Sequence, residues 1–376
     1  MKGTLTEVRP GVWRVRVYVG RDGNGRPVQV SRSVHGGKRD AQTALAKLVT
    51  EVHTGLAMRT NATIARLLDR WLDHISRDRT AHTVHNYRLK IEKHIKPALG
   101  SVRIDRLTAE RLDQQYRIWL DRGLSPSTVH MFHAILSAAL RQAVRWGWLD
   151  RAPTQQASPP AQARSQARSV TPEDLQRLVA AAEADDPLVA TAIALAALTG
   201  CRRGELCALR WSDVDLTTGV LRVSRSYSIV NGQRIVGDTK THQGRTLALD
   251  AVAIEVLRHR WAFQRWYAGE CEVSVVADAY VLSREADGTE PLAPNGLTHA
   301  FARMCRRLGM DYHFHEMRHF TATTSIAAGA DIRTVATRLG HADPSTTLRI
   351  YAHAIEARDR DVANILGKAL RPQLEP

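Results

Sequence analysis

Apolar and polar positions alternate from Val12 to Val19, with Trp13, Val15, Val17 and Val19 on one side and Arg14, Arg16 and Tyr18 on the other. A period of two marks a half-buried strand. Val28 to Val34 forms a second strand, with Arg32 available outward, and Asp22-Gly23-Asn24-Gly25 between them reads as a hairpin turn. The period then lengthens. From about Lys38 to Thr54 the residues Ala41, Leu45, Leu48 and Val52 recur at helical spacing, and Gly55 stops the run. The chain therefore opens on a small sheet backed by one helix.

Helical periods dominate the rest. Thr63 caps a helix whose buried face is Ile64, Leu67, Leu68, Trp71 and Ile75. A second, from about Thr83 to Ile95, carries Val84, Tyr87, Ile91 and Ile95 as its apolar stripe, leaves Arg88, Lys90 and Lys93 off it, and is closed by Pro97 and Gly100. Thr108 opens a third that ends at Gly123, and Ser125 caps a fourth, with Pro126 at its first position, that runs to about Trp146. Four helices with short connections make a bundle. Arg151 to Ser169 places Pro153, Pro159 and Pro160 among Ala, Gln, Ser and Arg with no apolar period, which reads as a linker. Thr171-Pro172-Glu173-Asp174 then starts a further helix. Helices are predicted over 175–183, 188–198, 203–209, 252–267, 295–308, 316–328 and 332–339, with a small antiparallel sheet from 220–228 and 234–249. The expected fold is multidomain and mainly α. It comprises a small N-terminal β-sheet plus helix over 1–58, a helical bundle over 59–150, a linker over 151–169, and a mixed, mainly α domain with a small antiparallel sheet over 170–376.

The 376-residue length agrees with two or three domains. Charge adds a partner. Lys and Arg number 53 against 38 Asp and Glu, a formal net charge of +15 that exceeds what solubility requires and points to a polyanion. An anionic membrane is the rival to nucleic acid. The longest apolar run, Leu188 to Leu198, is too short and Ala-rich to span a bilayer, and Met1 to Pro10 lacks a signal-peptide core, so no membrane and a cytoplasmic location are expected. Cys201, Cys207, Cys271 and Cys305 form no C-x-x-C pair, against both a zinc knuckle and a disulfide framework.

Candidate chemistry concentrates between Phe314 and His353. His315 and Arg318, three residues apart, share a helix face, while Gly340 ends the next helix and turns His341 elsewhere before Tyr351. Imidazoles, a guanidinium and a phenol suit a phosphodiester, since Arg matches two phosphate oxygens at once. Ordinary readings stand beside this one: a surface or core His, and Tyr351 as a core aromatic. A sharper rival is that His315-Glu316-Met317-Arg318-His319 satisfies the H-E-x-x-H pattern of zinc proteases. Against it, Arg318 puts a fixed cation on the face of His315, and the segment after His319 lacks the Gly and third His of the metzincin pattern; His341 stays available as a third ligand.

The order His315-x-x-Arg318-His319, Leu339-Gly340-His341 and Tyr351 resembles the C-terminal half of the tyrosine recombinase, or phage integrase, catalytic domain. Upstream, Leu198-Thr199-Gly200-Cys201-Arg202-Arg203-Gly204-Glu205-Leu206 resembles that family's T-G-x-R-x-x-E-L, and Asp238-Thr239-Lys240-Thr241 before Arg245-Thr246-Leu247 looks like the β-hairpin that carries its Lys. The three motifs cover roughly the last half of the chain. The resemblance implies a site-specific DNA recombinase in which Tyr351 attacks a phosphodiester to form a 3′-phosphotyrosyl bond. It also implies Arg202 and Arg318 on the phosphate, His315 as base, Lys240 as acid, His341 as a phosphate donor and Glu205 orienting Arg202 or His315, with no metal and no cofactor. The first unit is similar to the arm-type DNA-binding domain of larger integrases, with Arg14, Arg16 and Arg32 as contacts. The bundle is similar to the family's core-binding domain, with Arg88, Lys90 and Lys93 as contacts. Implied partners are double-stranded DNA attachment sites, three further copies in a homotetramer on DNA, a DNA-bending host factor and an excision directionality factor. A short tail helix, Asp361 to Leu370, with Val362, Ile365, Leu366 and Leu370 apolar, is similar to the family's tail that can dock on a neighbouring protomer, with packing in cis as the alternative. A type IB topoisomerase shares the chemistry and is the nearest alternative; a non-catalytic DNA-binding regulator and the zinc protease are the others.

Overall fold

The computed structural model describes residues 3–21, 27–53, 62–162, 168–238 and 244–341, with 343, 345, 347, 348 and 366. It divides into two compact units, Met1–Ala163 and Arg164–Pro376.

The first unit begins with an antiparallel sheet of order β1-β2-β3, made by β1 (Gly3–Arg9), β2 (Val12–Arg21) and β3 (Pro27–His35), against which α1 (Lys38–His53) packs. Strand β1 was not expected: of its residues Leu5 alone joins the core, so its sequence carries almost no apolar alternation. Val15 and Val17 of β2 are fully buried with Ala41 and Leu48 of α1, and Trp13, Val30, Val34 and Leu45 pack around them. Arg32 departs from its expected outward position. It pairs with Val15 and lies between Val30 and Val34, so the period of two puts it on the helix-facing side, half-buried. Arg14 and Arg16 are exposed and paired with Ser33 and Ser31 on the opposite face. The 22–25 turn lies outside the described residues.

Helices α2 (Ile64–Ile75), α3 (Ala81–Lys90), α5 (Ala109–Asp121) and α6 (Pro126–Arg145) form the expected bundle, each N-capped by a hydroxyl, from Thr63, Thr80, Thr108 and Ser125. Their core centres on Trp119 and Phe132, edge to face at 4.9 Å. Pro97 does not close the second helix. After α3 the chain passes through a π-helical turn, Ile91–Ile95, in which the Lys96 N–H reaches Ile91, and continues as α4 (Lys96–Leu99) to Gly100. A wider turn just before a proline, which has no N–H to give, keeps the helix going where a regular one would break. The segment expected as a linker is partly docked. Ala152 and Thr154 are buried, Ser158 donates its N–H to Asp113 Oδ1 at 2.7 Å, and His130 Nδ1 meets the Pro160 carbonyl at 3.3 Å. Pro153 opens a 3-10 turn, Pro153–Gln155, that packs on α5 and α6.

The second unit is built on α8 (Pro187–Thr199), which is apolar all round and therefore buried on every side by α7 (Pro172–Asp185), α10 (Ala251–Glu270), α11 (Pro294–Arg307) and α12 (Glu316–Ala327). Short α9 (Arg203–Cys207) follows it, and α13 (Ile332–Leu339) packs on α12. In place of one peripheral sheet there are two antiparallel ones. Strands β4 (Val214–Asp215), β5 (Val220–Val223) and β8 (Arg245–Ala248) make the first, and β6 (Arg225–Val230) with β7 (Gln233–Asp238) the second. The β6–β7 hairpin turns at Asn231 and Gly232, with φ of 52° and 75°, the positive pair that a two-residue hairpin turn requires. The fold is mainly helical with small antiparallel sheets, as expected. No helix among the described residues is long and apolar enough to cross a membrane.

Candidate active site

Two helix C-termini converge. Helix α8 ends at Gly200 and α13 at Gly340, both left-handed, with φ of 67° and 64°. The positive φ demands glycine at both, and a Cβ would also press on a side chain, 2.7 Å from Leu339 Cδ2 at Gly200 and 2.9 Å from Arg245 Nη1 at Gly340. Helix ends leave carbonyls without intrahelical partners and carry partial negative charge. Arginines collect on them. Arg318, from α12, donates Nη1 to the Gly200 carbonyl at 2.6 Å and Nη2 to that of Leu339 at 2.5 Å. Arg202, at the start of α9, donates Nη2 to the Gly340 carbonyl at 3.0 Å. Arg245, first in β8, donates Nε to the Arg338 carbonyl at 2.8 Å, and Arg338 itself donates Nη2 to Leu198 at 2.9 Å.

One carboxylate sits among these cations. Glu205 Oε1 accepts from Arg202 Nη1 at 2.8 Å and Arg245 Nη1 at 3.2 Å, while Oε2 accepts from Arg245 Nη2 at 2.8 Å and the Arg202 backbone N–H at 2.9 Å. Its side chain is 1% exposed. Burial alone would raise the Glu205 carboxyl, but the hydrogen bonds and charges of Arg245 and Arg202 outweigh it and hold the group below the usual range. Burial, with Arg202 beside it, brings Arg318 down to about 10, still charged at neutral pH. Around Glu205 the guanidiniums of Arg202, Arg245 and Arg318 outnumber the carboxylate and leave an excess of positive charge, the condition for holding an anion.

His341 follows Gly340 directly, and its Nδ1 is 2.7 Å from Thr347 Oγ1. Burial first, then Arg318, Arg202, His315 and Arg245, push it down to about 4, so it is neutral at pH 7. His315 stands exposed at the start of α12, its ring edge-on to that of His319 at 5.1 Å between centroids. Burial and Arg318 lower His319 as well. A depressed imidazole favours the fold above its unfolded value, near 6.5, and that contribution is lost as pH falls towards 4. His341→Gln is therefore expected to remove part of the acid destabilisation between those values. Denaturant midpoints measured from pH 4 to 7 check this, and an unchanged slope in the variant would count against it.

The structure thus brings together Arg202, Glu205, Arg318, His341 and, within reach of their field, His315. Lys240 and Tyr351 lie outside the described residues, as does the tail helix apart from Leu366, which is helical and exposed. Lys240 belongs to the connection between β7, ending at Asp238, and β8, starting at Arg245. Of the nominated DNA contacts on the bundle, Arg88 and Lys93 are exposed and Lys90 half-buried; Arg88 and Lys90, two positions apart, do not share a face. In the H-E-x-x-H run, the Glu316 carboxylate accepts the His313 N–H at 3.0 Å, and among the described residues no group of three ligating side chains gathers. Two arginines escaped the sequence reading, Arg245 and Arg338. For Arg245 a signal existed: it shares a strand face with the buried Leu247, where a cation needs a buried partner.

A family model described as the phage integrase family matches residues 168–358, just over half of the chain, and one described as the phage integrase N-terminal SAM-like domain matches 63–120. A tyrosine recombinase XerC-like protein of Caldanaerobacter subterraneus subsp. tengcongensis is 25% identical over 94% of this chain and 95% of its own. The Tn1549 transposon integrase in complex with transposon right end DNA has a similar fold, with a TM-score of 0.68 at 18% identity over 80% of this chain and 99% of that one. So has the lambda integrase tetramer bound to a Holliday junction, with a TM-score of 0.57 at 21% identity over 91% and 94%. With Arg202, Arg318 and His341 gathered where that catalytic pattern runs, the chain belongs to the phage integrase family of tyrosine recombinases, enzymes of site-specific DNA strand breakage and rejoining.

Proposed function

We propose that this recombinase acts on double-stranded attachment-site DNA of a phage or mobile element, with Tyr351 as the nucleophile. Attack by its oxygen forms a 3′-phosphotyrosyl bond and releases a 5′-hydroxyl, and a second strand's hydroxyl later reverses the step. One phosphodiester is exchanged for another, so the reaction is nearly isoenergetic and calls on no nucleotide. Its barrier lies in the charge that builds on the pentacoordinate phosphorus. Arg202 and Arg318 take that charge through the non-bridging oxygens, and neutral His341 donates a hydrogen bond to it. His315 accepts the tyrosine proton, which ordinarily leaves only near pH 10. Lys240 protonates the leaving oxygen, and Glu205 orients Arg202. The observation that carries this reading is the arginine cluster on two helix ends with a single carboxylate among it. A nicked suicide duplex bearing the attachment site tests it: a protein–DNA adduct that survives denaturing electrophoresis is expected, and its absence would refute the reading. Relaxation of supercoils without exchange between two duplexes would turn it towards a topoisomerase.

Residues 1–58 serve as the arm-binding domain in this scheme and 59–150 as the core-binding domain, with four protomers on two duplexes. A DNA-bending host factor and an excision directionality factor are the accessory partners. The exposed Arg14 and Arg16 beside Ser31 and Ser33 support an arm-binding face. Removing residues 1–55 is expected to spare cleavage of a short core site and to abolish integration between full sites, because bridging and its effective concentration are lost. Gel shifts over a salt series check it: each lost phosphate contact lowers the slope of log K against log salt by about 0.9. Equal binding of arm-only DNA by full and truncated protein would make the domain an appendage.

A further inference from the structure

We propose that Arg245 is a positioning residue for strand cleavage, one that fixes Glu205 against Arg202 and ties the end of α13, with His341, to the strand leaving the Lys240 connection. The inference rests on the roles proposed above for Arg202, His341 and Lys240. Arg245 is 7% exposed at its side chain and uses both Nη atoms on Glu205 and its Nε on the Arg338 carbonyl. Three of its donor atoms are thus engaged by protein acceptors, with Nη2 also 3.7 Å from Cys201 Sγ, against the two Nη atoms that Arg318 spends on carbonyls. It acts through others.

Three elements meet on it. Glu205 and Arg202 begin α9, Gly340 and His341 end α13, and β8 starts at Arg245 itself, five residues after Lys240. Its contact with Glu205 also decides what is left of Arg202. Glu205 shares its charge between two guanidiniums, and each of its oxygens bonds to Arg245. Without Arg245 the carboxylate has Arg202 as its remaining close cation and is free to turn both oxygens onto it. Arg202 would then be neutralised and drawn away from the Gly340 carbonyl, which now holds its Nη2 at 3.0 Å. Geometry of this kind is sensitive: a displacement of about 1 Å made away from the reacting atoms lowers a rate about 100-fold.

The test compares full-length wild type, Arg245→Gln and Arg245→Lys in single-turnover cleavage of the suicide duplex and in equilibrium DNA binding, from pH 5.5 to 9. Arg245→Gln is expected to bind DNA within about twofold of wild type, since phosphate contacts elsewhere set affinity, and to cleave about 100-fold more slowly. Arg245→Lys should regain part of that loss, because it keeps a charge beside Glu205 but cannot bond both oxygens. The pH profile separates positioning from mere folding. The groups facing Glu205 are Arg202, Arg245, Arg318 and Cys201; the arginines keep their charge, and burial raises the Cys201 thiol so that it stays neutral. Once Arg245 is gone, burial of Glu205 is less opposed, its carboxyl rises, and the acid limb of the cleavage profile moves towards neutral pH. Arg245→Gln that cleaves at the wild-type rate with the wild-type profile would overturn the role. If Arg245→Gln does not fold, Arg245→Lys decides: a folded variant with slowed cleavage and intact binding supports positioning. Unfolding of both variants, or parallel loss of binding and cleavage in the Lys variant, makes Arg245 structural and overturns it. Wild type that forms no adduct refutes the recombinase chemistry of Tyr351 itself, a different failure.

Discussion

Replacing Tyr351 with Phe will abolish the covalent protein–DNA adduct and strand exchange while leaving attachment-site affinity within about twofold of wild type. The substitution removes one oxygen and keeps the ring. Affinity for DNA comes mainly from phosphate contacts by Lys and Arg, none of which involves a phenol. The chemical step has no substitute for the lost oxygen, and deletion of a covalent nucleophile lowers turnover on the order of 10⁶-fold. His353, two residues on, is the neighbouring nucleophile that offers a control: His353→Ala should cleave at close to the wild-type rate. A Phe variant that still forms adduct on the nicked duplex would transfer the nucleophile's role away from Tyr351.

The elements of this protein were legible wherever one residue face was consistently apolar. Ile64, Leu67, Leu68 and Trp71 announce α2, and their capping Thr63 marks its first turn. Where burial is partial the pattern fades, as in β1, whose single core contribution is Leu5. Pro97 misled because proline is a local signal, while the π turn that accommodates it depends on Ile91 and Ile95 being held in the core on either side. Charge argues for an outward Arg32, although Val30 and Val34 flank it on the helix-facing side. Within the site, motif order brought out Arg202, Arg318 and His341. Motifs do not say what holds them. The convergence of two helix ends and the pairing of Glu205 with Arg245, forty positions away, depend on tertiary packing that no local period encodes. The same packing keeps His341 neutral, first by burying it and then through the charges of Arg318, Arg202 and Arg245, on three separate elements.

Arg318→Lys will lose both stability and cleavage, the second of the two large effects expected. Arg318 is 2% exposed and spans two carbonyls from different helices, Gly200 at 2.6 Å and Leu339 at 2.5 Å. A lysine ammonium is a point charge on a flexible stem and cannot match the planar fork. One buried carbonyl then loses its partner, a loss of about 1–3 kcal/mol in unfolding free energy. Cleavage should fall about 10²–10³-fold, the effect of removing one preorganised donor from a developing oxyanion. Burial followed by the Arg202 charge already lowers Arg318 to about 10. An ammonium starts from a lower ordinary value, about 10.4, so the same surroundings carry Lys at this position into the neutral range. The variant should therefore regain cleavage as pH falls through that lysine's pKa, when the ammonium becomes charged. Arg202→Lys offers the contrast: with 23% of its side chain exposed and Glu205 at 2.8 Å, that position keeps its charge, and no such recovery is expected. Single-turnover rates for both variants from pH 6 to 9 separate the two positions. Identical pH profiles would show that burial of Arg318 has no part in its behaviour and that loss of the forked contact alone sets the rate.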